Sequence, residues 1–396
     1  MSSMPQQAVA NGMGHTADRR AQLMTRLSDV VRNPSTGMAA SIPMNPQCTA
    51  RPVADDPTIA DDGAMHFALL GSLALALATT PTLDELKASM PSLRTWRQTG
   101  WTILSDAPRG SVQQVQRTLE RTRQEWDRFL RLMERPRDPG QTERLCIVFA
   151  KAEDFEHFAA TYDNLAVSAE QVPGYFSPQH RWIIFLDPGD HADLDDAWQR
   201  IDDAQREVDD AAQRGHSVDE AQRQLEHARE ELASSEVIRR MALTSHETVH
   251  QLVHQTPAFP YHAAWPQWLH EGLSTAFETA DRRRPFGPDR DFAQRRTAFL
   301  DRLDTGTAST IDQLLLQQAL NHADEHQVNA AYVDGCALVS WLSRSRRAKF
   351  ALFLEHLGRP DDTTGETPDI VAVFKAHLGD PAALTRSWWA DERRRR

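Results

Sequence analysis

The 396-residue chain contains few cysteines: only Cys48, Cys146 and Cys336, with no Cys-x-x-Cys pair. So few cysteines give no support to a disulfide framework. Cys146 falls in a predicted strand and Cys336 in a predicted helix, so we expect both to be small apolar residues of the core. The cysteines therefore do not indicate a cellular compartment.

Positive charge is also scarce. There are 44 lysine and arginine residues against 56 aspartate and glutamate residues, which gives a net charge of −12. Nucleic acids and anionic membrane surfaces are bound through basic patches, so this balance argues against both as partners. The arginine run at 393–396 is interpreted as a frayed tail rather than a binding patch.

Apolar runs of membrane-spanning length are missing as well. Within the segment 64–80, the uncharged run 67–78 is too short for a comfortable membrane span. It has the length of a signal-peptide apolar region, but it begins far from residue 1 and no basic residue closely precedes it. A signal peptide and a helix therefore both stay open, as do an exported or periplasmic location and a cytoplasmic one. Residues 1–63 lack apolar periodicity and are predicted to be a disordered tail.

The chain does contain the pentapeptide His246-Glu247-Thr248-Val249-His250. Apolar residues at helical spacing around it predict an amphipathic helix. Two histidines four residues apart then lie on one face, one turn from each other, which suits two imidazoles binding one zinc ion. Glu247 cannot easily join the same ion but can reach a water molecule polarised by it, so we predict that Glu247 is the general base.

A catalytic zinc takes three protein ligands and keeps one position open for water. Glu271 starts a second helical pattern, close enough in sequence to fold back against the first, and is the predicted third ligand beside His246 and His250. The chemistry implied is metal-assisted hydrolysis of an amide bond, with one zinc ion as the cofactor. We therefore expect a peptide or protein as the substrate.

The two motifs HETVH and WLHEGLSTAFE resemble the HExxH and WLxEGxAxxxE motifs of the gluzincin zinc metallopeptidases, in particular the bacterial peptidase-MA-like group. The resemblance covers about residues 98–392 and implies the same zinc ligands and base. It also implies that Glu278 is a carboxylate that orients a ligand histidine. The metzincin pattern does not fit, because Val253 and Thr256 occupy the positions of its glycine and histidine.

The resemblance implies an α+β, gluzincin-like fold. Residues 98–256 are predicted to form a small mixed sheet with helices, closed by the active-site helix, and 257–392 an all-helical subdomain that carries the third ligand. The strand Gly174, Tyr175 and Phe176 is the candidate edge strand for pairing with an extended substrate. An ordinary hairpin is the alternative interpretation.

The resemblance also points to Tyr332, whose phenol is a candidate catalytic donor to the oxyanion that forms on the attacked carbonyl. A tyrosine that simply packs in the helical subdomain is the alternative interpretation.

Residues 192–236 depart from the simplest version of this family. Apolar residues repeat every seven positions on both sides of a break at 214–217, which predicts an inserted antiparallel helical hairpin with charged outer faces. This hairpin is a candidate site for a protein partner, or a solvated structural arm. Two alternatives to a peptidase stay open: a catalytically silent peptidase-like protein that binds peptides or a partner protein through its cleft or this hairpin, and a scaffold whose functional surface is the hairpin.

Overall fold

The computed structural model describes most of the chain from residue 80 onward. The predicted disordered tail 1–63 and the apolar run 67–78 lie outside the described residues. The described ranges are 80–136, 143–170, 172–187, 192–290, 292–317, 327–328, 330–360, 365–366 and 368–396.

Five strands form one mixed sheet in the order β1-β2-β3-β5-β4. The outer pairs β1–β2 and β4–β5 are antiparallel, whereas β2, β3 and β5 pair in parallel. With the helices described below, this sheet confirms the mixed α+β class. The strands are β1 Arg94–Gln98, β2 Trp101–Ser105, β3 Arg144–Phe149, β4 Gly174–Ser177 and β5 Trp182–Leu186.

Twelve α-helices lie within the described ranges: three precede β4 and nine follow β5. The helices are α1 Leu83–Ser89, α2 Arg109–Leu132, α3 Ala152–Tyr162, α4 Ala192–Gln213, α5 Asp219–Gln255, α6 Gln267–Thr275, α7 Ala293–Thr305, α8 Ile311–Leu316, α9 Gly335–Ser345, α10 Arg347–His356, α11 Ile370–His377 and α12 Pro381–Arg394.

The sheet has a helical layer on each face because successive side chains of a strand point to opposite sides. Ile103 of β2 packs with residues of α2 and α5, whereas the next residue, Leu104, packs with residues of α1 and α3. Both α1 and β1 begin before residue 98, the predicted start of the sheet-containing subdomain. Leu86 of α1 is fully buried, so this short helix belongs to the core.

Helix α5 belongs both to the predicted hairpin 192–236, called the arm below, and to the predicted active-site helix. Helix α5 runs without interruption from Asp219 to Gln255 and contains neither glycine nor proline. The first half of α5 packs against α4 to form the predicted hairpin, so the second helix of the arm continues directly into the predicted active-site helix and the arm is not a separate insertion before it. The arm has its own apolar seam, formed by Ile201, Ala204, Val208, Ala221, Leu225, Ala228 and Leu232.

The second half of α5 is anchored at two points. Near its start, Arg240 donates a 2.6 Å hydrogen bond from Nε to Oδ1 of Asp187, at the end of β5. Near its end, the Gln251 side chain accepts from the Trp101 indole at 2.9 Å and donates to the Arg181 carbonyl at 2.8 Å. The intervening turns are therefore fixed against the sheet.

The other side of α5 faces the helical C-terminal part. A large apolar core joins the end of α2, the end of α5 and the helices from α6 onward. Among the described residues, no helix is both long enough and apolar enough to cross a membrane.

Candidate metal centre

The nitrogen and oxygen atoms of three side chains converge between α5 and α6. The Nε2 atoms of His246 and His250 lie 3.1 Å apart. Oε2 of Glu271 lies 3.2 Å from the first nitrogen and 3.5 Å from the second. The structure thus brings together the three predicted ligands.

These separations match a metal site. Three ligand atoms held about 2.0–2.1 Å from a tetrahedral zinc ion lie about 3.3 Å from one another. The observed spacings of 3.1, 3.2 and 3.5 Å fall around that value. Among the described residues, no fourth histidine, cysteine, aspartate or glutamate joins the group. The donor set therefore fits a metal ion with one position left for solvent.

Helix α6 brings Glu271 to the histidines through a close crossing with α9. A Cβ atom on Gly272 would lie 2.5 Å from the carbonyl carbon of Gly335, and a Cβ on Gly335 would lie 2.6 Å from the carbonyl oxygen of Trp268. Side chains essentially never approach backbone this closely, so only glycine permits the crossing. The position of the carboxylate ligand thus depends on two residues without side chains.

The second carboxylate oxygen of Glu271, Oε1, is held by a hydrogen bond from a neighbouring side chain. Gln267, one turn earlier on α6, donates a 2.6 Å hydrogen bond from Nε2 to Oε1 of Glu271. This contact leaves Oε2 facing the two imidazoles. Sequence reasoning missed Gln267, although its i, i+4 spacing from Glu271 was a usable signal.

Glu278 lies on the opposite side of the His246 ring from Glu271. Its Oε1 atom is 3.3 Å from Nδ1 of that histidine. The same carboxylate accepts two hydrogen bonds from Arg295, from Nε at 2.8 Å and from Nη2 at 2.9 Å. Glu278 follows the end of α6 rather than lying on it, and Arg295 comes from α7.

Glu247 has a buried carboxylate beside the three ligand side chains. Its Oε2 atom accepts no hydrogen bond from the described residues. A buried polar atom without a protein partner is costly unless water or a ligand satisfies it. This atom is therefore available to a water molecule, as the predicted general base requires.

The buried ionisable groups of the site shift one another's pKa values. Burial lowers the pKa of His246, but hydrogen bonds with Glu271 and Glu278 outweigh burial and raise this pKa to about 10. Burial raises the pKa of Glu271, but the positive charge of His250 and the hydrogen bond with His246 hold it well below its usual range. Burial also raises the pKa of Glu247. A divalent cation binding here must displace the His246 proton, because a ligating nitrogen is deprotonated.

Two further histidines lie near the site but outside the ligand group. Burial lowers the pKa of His270 to about 4, and its Nε2 atom is 2.9 Å from the His262 carbonyl. His254, one turn after His250, packs against the rings of Phe176 and His262. Burial lowers its pKa to about 4 as well. Both rings are therefore neutral at neutral pH and act as packing groups around the site.

Tyr332 lies on a π-helical turn, Ala330–Asp334, with its ring centroid 5.9 Å from that of His246. Asp334, the last residue of this turn, accepts two hydrogen bonds from Arg302. Tyr332 is almost fully buried. Its role as an oxyanion donor stays a prediction.

The candidate substrate strand, β4, is at the edge of the sheet beside α5. Gly174 lies against Leu243 of α5, and Phe176 faces the same side, against His254. The Tyr175 side chain is buried on the opposite face, where its hydroxyl donates to Asp163 at 2.8 Å. Any contact of this strand with a substrate must therefore come mainly from its backbone edge.

Comparison with known proteins adds one match. Residues 240–361, under a third of the chain, match the model of a family described as "Protein of unknown function (DUF1570)". The matched region contains the three converging side chains together with Glu247 and Glu278. No curated protein and no solved structure matches the chain.

Proposed function

We propose that the protein is a zinc-dependent metallopeptidase of the gluzincin kind. The observation that carries the proposal is the convergence of His246, His250 and Glu271 at 3.1–3.5 Å next to the buried, unpartnered oxygen of Glu247. Two imidazoles and one carboxylate are a donor set of catalytic zinc sites. Because a structural zinc site is normally closed by a fourth protein ligand, a group of three favours a catalytic role.

In this proposal His246, His250 and Glu271 hold the ion, and the neighbouring side chains fix their orientation. When bound, zinc supplies Lewis-acid chemistry by polarising the scissile carbonyl and making water a stronger nucleophile. Glu247 accepts the proton that the attacking water loses. The same carboxyl can then deliver this proton to the amine nitrogen as the peptide bond breaks, so the base is regenerated.

The substrate that this chemistry implies is a peptide or protein, held along the cleft beside α5. β4 is an edge strand of the sheet, a position at which an extended chain can add as a further strand. Tyr332 is proposed to donate a hydrogen bond to the oxyanion that forms on the attacked carbonyl.

Removal of the metal tests the proposal directly. We expect the purified full chain to carry about one equivalent of zinc and to hydrolyse casein, because the site supplies three ligands and a base. Treatment with 1,10-phenanthroline should abolish hydrolysis and lower the melting temperature, since a ligand at 1,000 times its Kd stabilises a protein by about 4 kcal/mol. Zinc content, casein hydrolysis and thermal unfolding measure the three effects.

Zinc added back to the chelated protein is the control, and it should restore both hydrolysis and melting temperature. A protein that cuts casein equally well without metal would rule out the mechanism. A protein that binds zinc and peptides but cuts neither casein nor short peptides would instead be the catalytically silent alternative.

The arm is proposed to be separable from the chemistry. Residues 192–236 contain fourteen acidic and five basic residues, a net charge of −9 out of −12 for the whole chain. The apolar residues of the arm are buried in its own seam, so its outer surface is charged. Charge complementarity therefore requires a protein partner of this surface to bind through polar and basic groups.

A shortened arm tests this separation. Deleting 207–213 and 219–225 removes one heptad from each helix and keeps the loop 214–218 between them. We expect unchanged zinc content and unchanged hydrolysis of short peptides, because the anchor at Arg240 lies beyond the deletion. Faster cleavage of casein alone would show that the arm restricts the cleft, and loss of zinc would contradict the separation.

A further inference from the structure

One buried ion pair lies directly behind the metal centre. Arg295 of α7 forms a two-pronged contact with Glu278: Nε to Oε2 at 2.8 Å and Nη2 to Oε1 at 2.9 Å. The Glu278 side chain is 0 % exposed and that of Arg295 is 14 % exposed. Both carboxylate oxygens are thus held at fixed positions by one planar group.

The held carboxylate in turn contacts a ligand. Oε1 of Glu278 lies 3.3 Å from Nδ1 of His246, a long contact for a hydrogen bond. No other hydrogen-bond partner of this nitrogen is present among the described residues. The orientation of the imidazole, and with it the direction of Nε2, therefore depends on where Glu278 is held.

We propose that Arg295 is a positioning residue of the metal centre: it fixes Glu278, and Glu278 fixes the ring of His246 with Nε2 directed at the metal. The proposal rests on the metal site of the proposed function. A monodentate or displaced Glu278 would let the imidazole rotate, so Nε2 would leave the 3.1–3.5 Å triangle that it forms with His250 and Glu271. Partners behind a ligand histidine affect metal affinity in this way because they orient the ring.

The chain offers a matched control for this ion pair. Arg302, also on α7, forms the same two-pronged contact with Asp334, at 2.8 and 2.9 Å. The arginine is 15 % exposed and the carboxylate 0 %, almost identical to the first pair. Asp334 also accepts from the backbone nitrogen of Ser309 at 2.8 Å. Glu278 contacts the predicted metal ligand His246, whereas Asp334 is held by Arg302 and the backbone of Ser309.

The experiment compares Arg295→Met with Arg302→Met in the full chain. We expect the first to weaken zinc binding by about 10- to 100-fold, measured by competition with a chromophoric chelator. Both variants should lower the melting temperature by similar amounts, because each loses one buried ion pair. Arg302→Met should nevertheless leave zinc affinity close to that of the wild type. The visible absorption of the Co²⁺-substituted protein should change only in the Arg295 variant, because it reports the geometry of the ligands.

A double-mutant cycle tests the route through Glu278. If Arg295 acts through that carboxylate, then Glu278→Gln combined with Arg295→Met should weaken zinc binding no more than Glu278→Gln alone. Additive losses would mean that Arg295 acts independently, which overturns the proposal. If Arg295→Met does not fold, Arg295→Lys can be measured in its place, because lysine keeps the positive charge but lacks the planar guanidinium that forms the two-pronged contact. It should fold and still bind zinc more weakly than the wild type.

Different results overturn the proposed function and the proposed role of Arg295. A wild-type protein that binds no zinc overturns the proposed function, and the role of Arg295 falls with it. A wild-type protein that binds zinc, with equal affinity in Arg295→Met, Arg295→Lys and Arg302→Met, overturns only the role of Arg295.

Discussion

Glu247→Gln is expected to reduce casein hydrolysis by about 10²- to 10⁴-fold, the usual contribution of a positioned general base. Glutamine has nearly the shape of glutamate but cannot take a proton from water. Glu247 is not among the three converging ligands, so the variant should retain about one equivalent of zinc. Steady-state hydrolysis and metal analysis of the same preparation separate the two effects.

Glu230→Gln is the matched control for this substitution, because it removes one carboxylate from an exposed position on the same helix. It should retain both zinc and hydrolysis. Activity of Glu247→Gln close to that of the control would eliminate Glu247 as the base. Loss of zinc in Glu247→Gln would instead mean that this carboxylate supports the metal.

The parts of the site that the sequence predicted are those set by local geometry. His246 and His250 are one helical turn apart, so the helix itself brings their rings to one face. The apolar stripe around them correctly predicted that helix. Glu271 and Glu278 needed the second motif, since nothing in their own spacing shows that α6 folds back onto α5.

The parts that the sequence did not predict depend on contacts distant in the chain. Arg295 lies 17 residues after Glu278 across a loop, and no periodic pattern marks a pair of that kind. The helix α1 and strand β1 were missed because elements of seven and five residues are too short to show a clear period. The hairpin was predicted, but its continuity with the active-site helix was not, since a heptad pattern does not show where one helix meets another.

Only one half of the glycine crossing could be found from the sequence, yet the crossing determines where Glu271 lies. Gly272 belongs to the second motif, but nothing in the sequence marks Gly335 as its partner. Gly272 and Gly335 are 63 residues apart, and neither has the positive φ that marks a glycine required by a turn. Both are needed only because two helical backbones touch. The position of the predicted third ligand thus depends on a tertiary contact of which the second motif contains only one residue, Gly272.

Gly335→Ala is therefore expected to weaken zinc binding, although Gly335 is not one of the three predicted ligands. In an unconstrained helix alanine is favoured over glycine by about 1 kcal/mol. Here its Cβ would lie 2.6 Å from the Trp268 carbonyl oxygen, which is backbone and cannot rotate away. Overpacking typically costs about 1–3 kcal/mol, so the clash should outweigh the helical preference and push α6 away from α9.

Because Glu271 lies on α6, this displacement should lengthen its 3.2 and 3.5 Å separations from the two imidazole nitrogens. We expect zinc affinity to fall by at least about tenfold, within the range seen when support behind a ligand is lost. Chelator competition and thermal unfolding measure the two consequences. Gly110→Ala is the control, since a Cβ there meets no atom within 4 Å. Normal zinc affinity in Gly335→Ala would show that α6 tolerates the shift and that the crossing does not position the ligand.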